Sequence, residues 1–238
     1  MTLIVRNLQL VRDRITTACV SAGRAPNSVL LMAVSKKFGA DAVLQAVSDG
    51  QRVFGENYIA EGVEKITALK AMLPADIQLE WHCIGPVQSN KTRLVAEHFD
   101  WVQSVDRLKI AERLAEQRSA DLPPLQICIQ VNIDGGASKS GVAPEDALAL
   151  AQAISNLPRL QLRGLMAIPE PAPDFVAACA LHTRARALFD QLNSAGVLPV
   201  AMDTLSIGMT ADLEAAIHAG STMVRVGTAI FGKRTGRD

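Results

Sequence analysis

The sequence predicts a single closed (β/α)8 barrel, the TIM-barrel architecture, spanning residues 1–238 as one domain. Three observations carry that prediction. Short runs of β-branched and apolar residues alternate with segments of helical period, and the cycle repeats eight times. No Pro/Gly/Ser-rich linker or change of composition divides the chain. Its 238 residues also come close to the ~250 typical of such barrels.

The elements follow in order. The first 20 residues set Arg6, Arg12, Asp13 and Arg14 inside an apolar pattern, which reads as an amphipathic helix rather than a signal peptide. Residues 28–35 (SVLLMAVS) form the first strand-like run, and residues 41–49 have helical spacing with Gly50 as a stop. Residues 52–56 precede a helix from Tyr58, and residues 80–84 precede one from Lys91. The fourth run is 101–105, with Asp106 as N-cap of a helix over 107–118. The fifth, 125–132, leads to a helix opened by Pro144 in its first turn. Residues 159–168 and the periodic stretch 174–193, closed by Gly196, make the sixth unit. Residues 204–207 precede a helix over 211–219, and 223–231 is the eighth run. The 232–238 segment is too short for the usual last helix, so the N-terminal helix is expected to cover that gap on the outer ring. The competing layout is a doubly wound open sheet, which the absence of a GxGxxG after the first strand disfavours.

Composition narrows the function. Twenty-four Lys plus Arg balance 24 Asp plus Glu, so no global positive field gathers nucleic acid or an anionic bilayer. The longest apolar runs, 29–34 and 125–131, fall well short of the roughly 20 residues a spanning helix needs. A cytoplasmic, monomeric protein without nucleic-acid or membrane partners is expected. Cys19, Cys83, Cys128 and Cys179 are far apart and form no zinc-like spacing, and His82, His98, His182 and His218 add none. Reduced, mostly buried thiols and no metal are expected.

In a parallel barrel the residues ending each strand converge on one face, and that face carries chemistry. Strand ends here give Lys36, Asn57, His82, Ser104, Asn132, Met166, the turn from Ser206 to Met209, and Arg225 with Gly227. Lys36 closes an almost wholly apolar run. Partial desolvation there leaves more of it as the free amine that attacks a carbonyl, although many strand-terminal lysines merely reach out to water. Ser206, Gly208 and Met209 form a turn into a helix, where a hydroxyl and unpaired N–H groups favour an anion; Gly227 and Thr228 offer a second close approach. An ordinary tight turn is the alternative. Arg225, flanked by Met223, Val224 and Val226, is expected to be buried against a partner, either in an ion pair or facing a ring nitrogen. An amine, an anion cradle and a partner for a pyridine nitrogen are together what pyridoxal phosphate (PLP) requires.

The motifs extend this over nearly the whole chain: AVSK ending at Lys36, FGENY at 54–58, WHCIGPVQSNK at 81–91, SVD at 104–106, KSG at 139–141, RGLMAIP at 163–169, LSIGM at 205–209 and GSTMVRVGTAIFG at 220–232. In these the chain resembles the PLP homeostasis family, whose fold is that of the alanine racemase N-terminal barrel. The resemblance implies that Lys36 holds PLP as a Schiff base. It also implies that Ser206, Gly208 and Gly227 lie around the phosphate, that Arg225 faces the pyridine nitrogen, and that Asn57 and His82 lie near the ring. It further implies a carrier that stores and delivers the cofactor, possible apo-enzyme recipients, and no established catalysis. Lys37-Phe38, Thr210 and the 135–137 loop depart from the family's commoner residues. Lys139, a second amine on the loop after the fifth strand, is a candidate relay that takes the aldehyde from Lys36.

Two other readings use the same residues. An amino-acid racemase would share the lysine and arginine but also needs a tyrosine on the opposite face, normally beside a second domain. Tyr58 is the single tyrosine, and no residues remain for that domain. A Schiff-base aldolase would trap a phosphosugar on Lys36.

Overall fold

A computed structural model describes residues 2–136 and 140–232. Eight strands form one closed parallel barrel in sequence order, β1 Leu30–Val34, β2 Val53–Glu56, β3 Glu80–Cys83, β4 Trp101–Val105, β5 Leu125–Gln130, β6 Leu160–Met166, β7 Thr204–Ser206 and β8 Met223–Val226. Closure is made by β8 lying parallel to β1, with Leu30 opposite Met223 and Ala33 opposite Val226. The connecting helices are α2 Ala40–Ser48, α3 Ile59–Met72, α4 Thr92–His98, α5 Leu108–Gln117, α6 Ala147–Ser155, α7 Phe175–Ser194 and α8 Leu213–His218. The open sheet is thereby ruled out.

The N-terminal helix α1 (Leu3–Ser21) does cover the gap, packing against α2 on one side and against α8 and the short α9 (Thr228–Phe231) on the other. Its buried stripe is Leu8, Val11, Ile15, Ala18 and Cys19, a spacing of three, four, three and one residues that keeps one face inward. Asn7 Nδ2 donates to Ile230 O at 3.0 Å, and Arg14 reaches Glu214 at 2.8 Å, which fixes the helix against the chain's far end.

Three expected boundaries shift for local reasons. The eighth run stops being a strand at Val226, because Gly227 takes a helical ψ of −73° and opens α9. Asp106 does not cap α5: Arg107 is the N-cap residue, and the Asp106 carboxylate bonds that neighbour's guanidinium at 2.8 Å. Pro144 opens a 3₁₀ turn, Pro144–Asp146, and α6 begins only after it.

Side chains on the outer strand faces pack with the helices into one continuous core. The barrel interior is different. Met32, Val34, Ile84 and Met223 form one apolar cluster and Trp101, Cys128 and Met166 another. The fully buried His82, Gln103 and Ser206, with Arg225 at 4% exposure, make a polar set in the same interior.

Candidate functional site

The C-terminal ends of the strands converge on a cavity of about 300 Å³. Its walls include Lys36 and Asn57 from the ends of β1 and β2, Arg225, Gly227 and Thr228 from the end of β8, and Met209 from the loop after β7. Val34, Ile84 and Ile168 supply apolar surface, and Phe38 closes one side by stacking on Phe231 at 5.2 Å. These residues come from opposite ends of the chain, and barrel closure brings them together.

The turn holding Lys36 is gripped on both sides. Ser35 Oγ donates to Glu56 Oε1 at 2.6 Å, and Lys65 Nζ donates to Ser35 O at 2.9 Å and to the same carboxylate oxygen at 2.6 Å. Beyond Lys36, the Lys37 N–H donates to Glu61 Oε1 at 2.6 Å, which Lys65 also reaches at 3.1 Å. Lys37 adopts φ 65°, a left-handed conformation uncommon outside glycine, so this turn is held against its own preference. Burial pushes the Glu56 carboxyl above its ordinary value, while the Lys65 ammonium and the Ser35 hydroxyl pull it back. Sequence reading did not single out Glu56, Glu61 or Lys65. An acidic residue at the end of a strand and a lysine nine positions on were the available signal, and the helical spacing of Glu61 and Lys65 was the other.

Asn57 lies on the cavity with Oδ1 buried and without a hydrogen-bond partner. An orphaned acceptor of this kind costs about 1–3 kcal/mol unless something donates to it. Its backbone is clamped by Gly85: a Cβ there would stand 2.1 Å from Asn57 O, so only glycine permits the approach. Ser104, one of the expected strand-end residues, holds this loop by donating to Gly85 O at 2.6 Å.

Across the barrel, Gly208 has φ +93°, and a Cβ there would come 2.4 Å from Ala216 Cβ. The loop is pinned by Asp212, whose Oδ1 accepts from the Met209 N–H at 2.7 Å and whose Oδ2 lies 2.9 Å from His182 Nε2. Burial raises the Asp212 carboxyl, but these hydrogen bonds outweigh it and hold the group below its ordinary value. At Gly227 a Cβ would meet Val34 O at 3.1 Å, so the end of β8 can press against the end of β1.

Two expected site residues are turned elsewhere. The Ser206 hydroxyl, anticipated at a phosphate, is fully buried and bonds Gln103 Oε1 and Arg225 Nη1, each at 2.7 Å. His82 does not border the cavity: its buried ring stacks on Trp101 at 4.9 Å, with Nε2 2.8 Å from Glu80 Oε1 and Nδ1 3.0 Å from Gln103 Nε2. Strand alternation puts both on the interior face of the barrel. Asn132 folds its own loop, with Nδ2 donating to Gly136 O and Oδ1 accepting from Gly135. Met166 packs in the interior cluster. Lys139 lies outside the described residues.

Arg225 donates to Ser206 O at 2.6 Å and Ala167 O at 2.9 Å besides the Ser206 hydroxyl, all uncharged acceptors. Burial lowers its pKa to about 10, still cationic at neutral pH. The expected alternatives for it were an ion pair or a ring partner; the hydrogen bonds include no carboxylate. The buried thiols Cys83 and Cys128 are pushed up to about 12 by burial and stay protonated.

Residues 7–235 match the family model described as alanine racemase, N-terminal domain. The pyridoxal phosphate homeostasis protein of Pseudomonas aeruginosa is 55% identical over 234 residues, 98% of this chain and 97% of that protein. The protein of the same name from Vibrio cholerae is 54% identical over 231 residues, 97% of this chain and 96% of that one. Among solved structures, PipY of Synechococcus elongatus with PLP bound superposes with a TM-score of 0.82 at 36% identity, covering 96% of this chain and 100% of that one. Sharing more than half its residues with these relatives along almost its full length, the chain belongs to the pyridoxal phosphate homeostasis protein family, on the alanine racemase N-terminal barrel.

Proposed function

We propose that this protein binds PLP in the cavity at the C-terminal mouth of the barrel, covalently, as a Schiff base on Lys36, and serves PLP homeostasis as a carrier without catalysis. The observation that carries the reading is one cavity walled by a lysine amine, a buried arginine cation and a glycine approach at Gly227. Its volume of about 300 Å³ is at the lower end of the range for small-ligand sites, which suits a single-ring cofactor. The orphaned Asn57 Oδ1 calls for a donor in the same space. Bound PLP supplies a reactive aldehyde and visible absorbance; the carbonyl oxygen leaves as water when the Lys36 amine adds.

The chain's residues divide the work. The grip of Glu56, Lys65 and Glu61 on Ser35 and Lys37 holds the Lys36 backbone. Of the first-turn N–H groups after Gly227, those of Ile230 and Phe231 bond Gly227 O at 2.9 Å, which leaves the Thr228 and Ala229 N–H groups and the Thr228 hydroxyl to suit an anionic tail. Arg225, a permanent cation, disfavours a proton on a ring nitrogen and so restrains carbanion chemistry. Val34, Ile84 and Ile168 limit water beneath the ring.

This division favours a carrier over a racemase. Tyr58 is 48% exposed, lies under the Lys37 ammonium at 5.9 Å and does not border the cavity. An aldolase predicts a colourless protein that borohydride labels only with substrate present. The carrier predicts a yellow protein as isolated, labelled at Lys36 by borohydride and peptide mapping. A colourless protein, or label on another lysine, overturns the reading. We further read the carrier as a cytosolic monomer that passes PLP to apo-enzymes, with Lys139 as relay; no described helix is long and apolar enough to cross a membrane. Unchanged transfer to an apo-enzyme by Lys139→Ala would remove the relay.

A further inference from the structure

We infer that Gln103 is a positioning residue for Arg225: its amide makes the Ser206 hydroxyl an acceptor for the guanidinium, in a hydrogen-bond chain whose direction originates at Glu80 on the opposite end of the barrel. The role presupposes that Arg225 meets the cofactor ring, as proposed for the cavity.

The chain runs Glu80, His82, Gln103, Ser206, Arg225, and each link allows one polarity. An ionised carboxylate only accepts, so His82 Nε2, 2.8 Å from Glu80 Oε1, carries the hydrogen. Burial keeps the ring below its ordinary value and therefore neutral, although Glu80 and Asp100 pull the other way, and Nδ1 is left as an acceptor. The Gln103 nitrogen, 3.0 Å from Nδ1, donates to it and directs its other hydrogen at Met223 Sδ, 3.1 Å away. Both neighbours are acceptors, so the NH2 end must lie on this side and the carbonyl must face Ser206. Ser206 gives its one hydrogen to that carbonyl at 2.7 Å and presents lone pairs to Arg225 Nη1 at 2.7 Å. A guanidinium only donates, so the match is complete.

Reversing the Gln103 amide would set its oxygen against an imidazole lone pair and a sulfur. It would also push the Ser206 hydrogen toward a cation. The contacts cross the interior between β3, β4, β7 and β8, so the cation's position is shared among strands far apart in sequence. Groups facing His82 are Glu80 on its own strand, Asp100 and Trp101 at the start of β4, and Gln103; Arg163 lies beyond Glu80 and over Trp101 at 4.8 Å.

Two variants test the role. In Gln103→Glu the shape is kept but a carboxylate brings no donor for Nδ1, so one more proton must enter that link, on the ring or on the new carboxyl. Nitrogen-15 NMR of the histidine rings in PLP-free protein at neutral pH is expected to show wild-type His82 neutral with hydrogen on Nε2, and in Gln103→Glu a shifted Nδ1 resonance as that nitrogen takes, or is offered, the added proton. Hydrogen on Nδ1 in the wild type, or an unmoved Nδ1 resonance in the variant, overturns the chain's direction. Gln103→Met keeps volume and removes the polar links; PLP affinity is expected to fall about tenfold and the pH profile of the bound chromophore's visible absorbance to shift. Wild-type affinity with an unaltered profile overturns the positioning role, and if Gln103→Met does not fold, the Gln103→Glu arm decides. Wild-type protein that takes up no PLP overturns the cofactor reading itself, separately, because the NMR arm is read without PLP.

Discussion

Arg225 places a charge among neutral acceptors where solvent reaches only 4% of it, an arrangement that costs desolvation and is tolerated because three oxygens receive its hydrogens. Arg225→Met should relieve that cost but leave the Ser206 hydroxyl and Ala167 O without this donor, at about 1–3 kcal/mol, while PLP binding weakens; a titration followed by visible absorbance, beside a thermal melt, separates the two. Glycines at the rim act through space rather than charge. Gly85→Ala would drive a Cβ to 2.1 Å from Asn57 O, so β2 and the β3 loop must move apart. A loss of about 1–3 kcal/mol in urea unfolding, with weaker PLP uptake, is expected. An alanine variant as stable as wild type would show that the approach is not tight.

At the scale of elements, the exit of β1 depends on α3. Glu56 and Lys65 are buried to 0% and 4% side-chain exposure, and their ammonium–carboxylate contact is 2.6 Å. Lys65→Met leaves Glu56 without its cation and Ser35 O without its donor, and should cost about 3–5 kcal/mol, measured by denaturant unfolding. A change under 1 kcal/mol, on the scale of an exposed pair, would refute this account of the turn. Helix α1 closes the ring through packing: Leu8 is fully buried, so Leu8→Ala should cost about 2–5 kcal/mol. Element boundaries were legible where local chemistry dominated, as at β4, whose observed span matches the expected run. They were missed where an adjacent side chain competed for the capping group. Asp106 had the residue type of an N-cap, but Arg107 took its carboxylate.

Across the whole molecule, acid should act through carboxylates held low. Burial raises Asp212, Asp203 and Glu80, but hydrogen bonds from His182, Arg163 and His82 outweigh it, and all three lie below ordinary values of 3.8, 3.8 and 4.5. A lowered folded-state value means that the unfolded chain binds protons first as pH falls. The stability these groups give is therefore complete above those ordinary values and is lost as pH drops through the lowered ones. Unfolding free energies from pH 7 down to about 3 should decline at the acid end. Asp212→Asn should decline less steeply; an equal decline would remove Asp212 from the account.

Alternation of apolar runs with helical periods determined the barrel, the covering role of α1, and the strand ends at which Lys36, Asn57 and Gly227 would converge, because period and punctuation are local properties of a chain. The roles of Ser206 and His82 were decided by the tertiary structure. Their position in strands was readable, but which way a hydroxyl or a ring nitrogen points depends on Gln103, Glu80 and Met223, contributed by three different strands. The same holds for the grip of Lys65 and Glu61 on the Lys36 turn, since helical spacing places both on one face of α3 but does not say which turn that face meets.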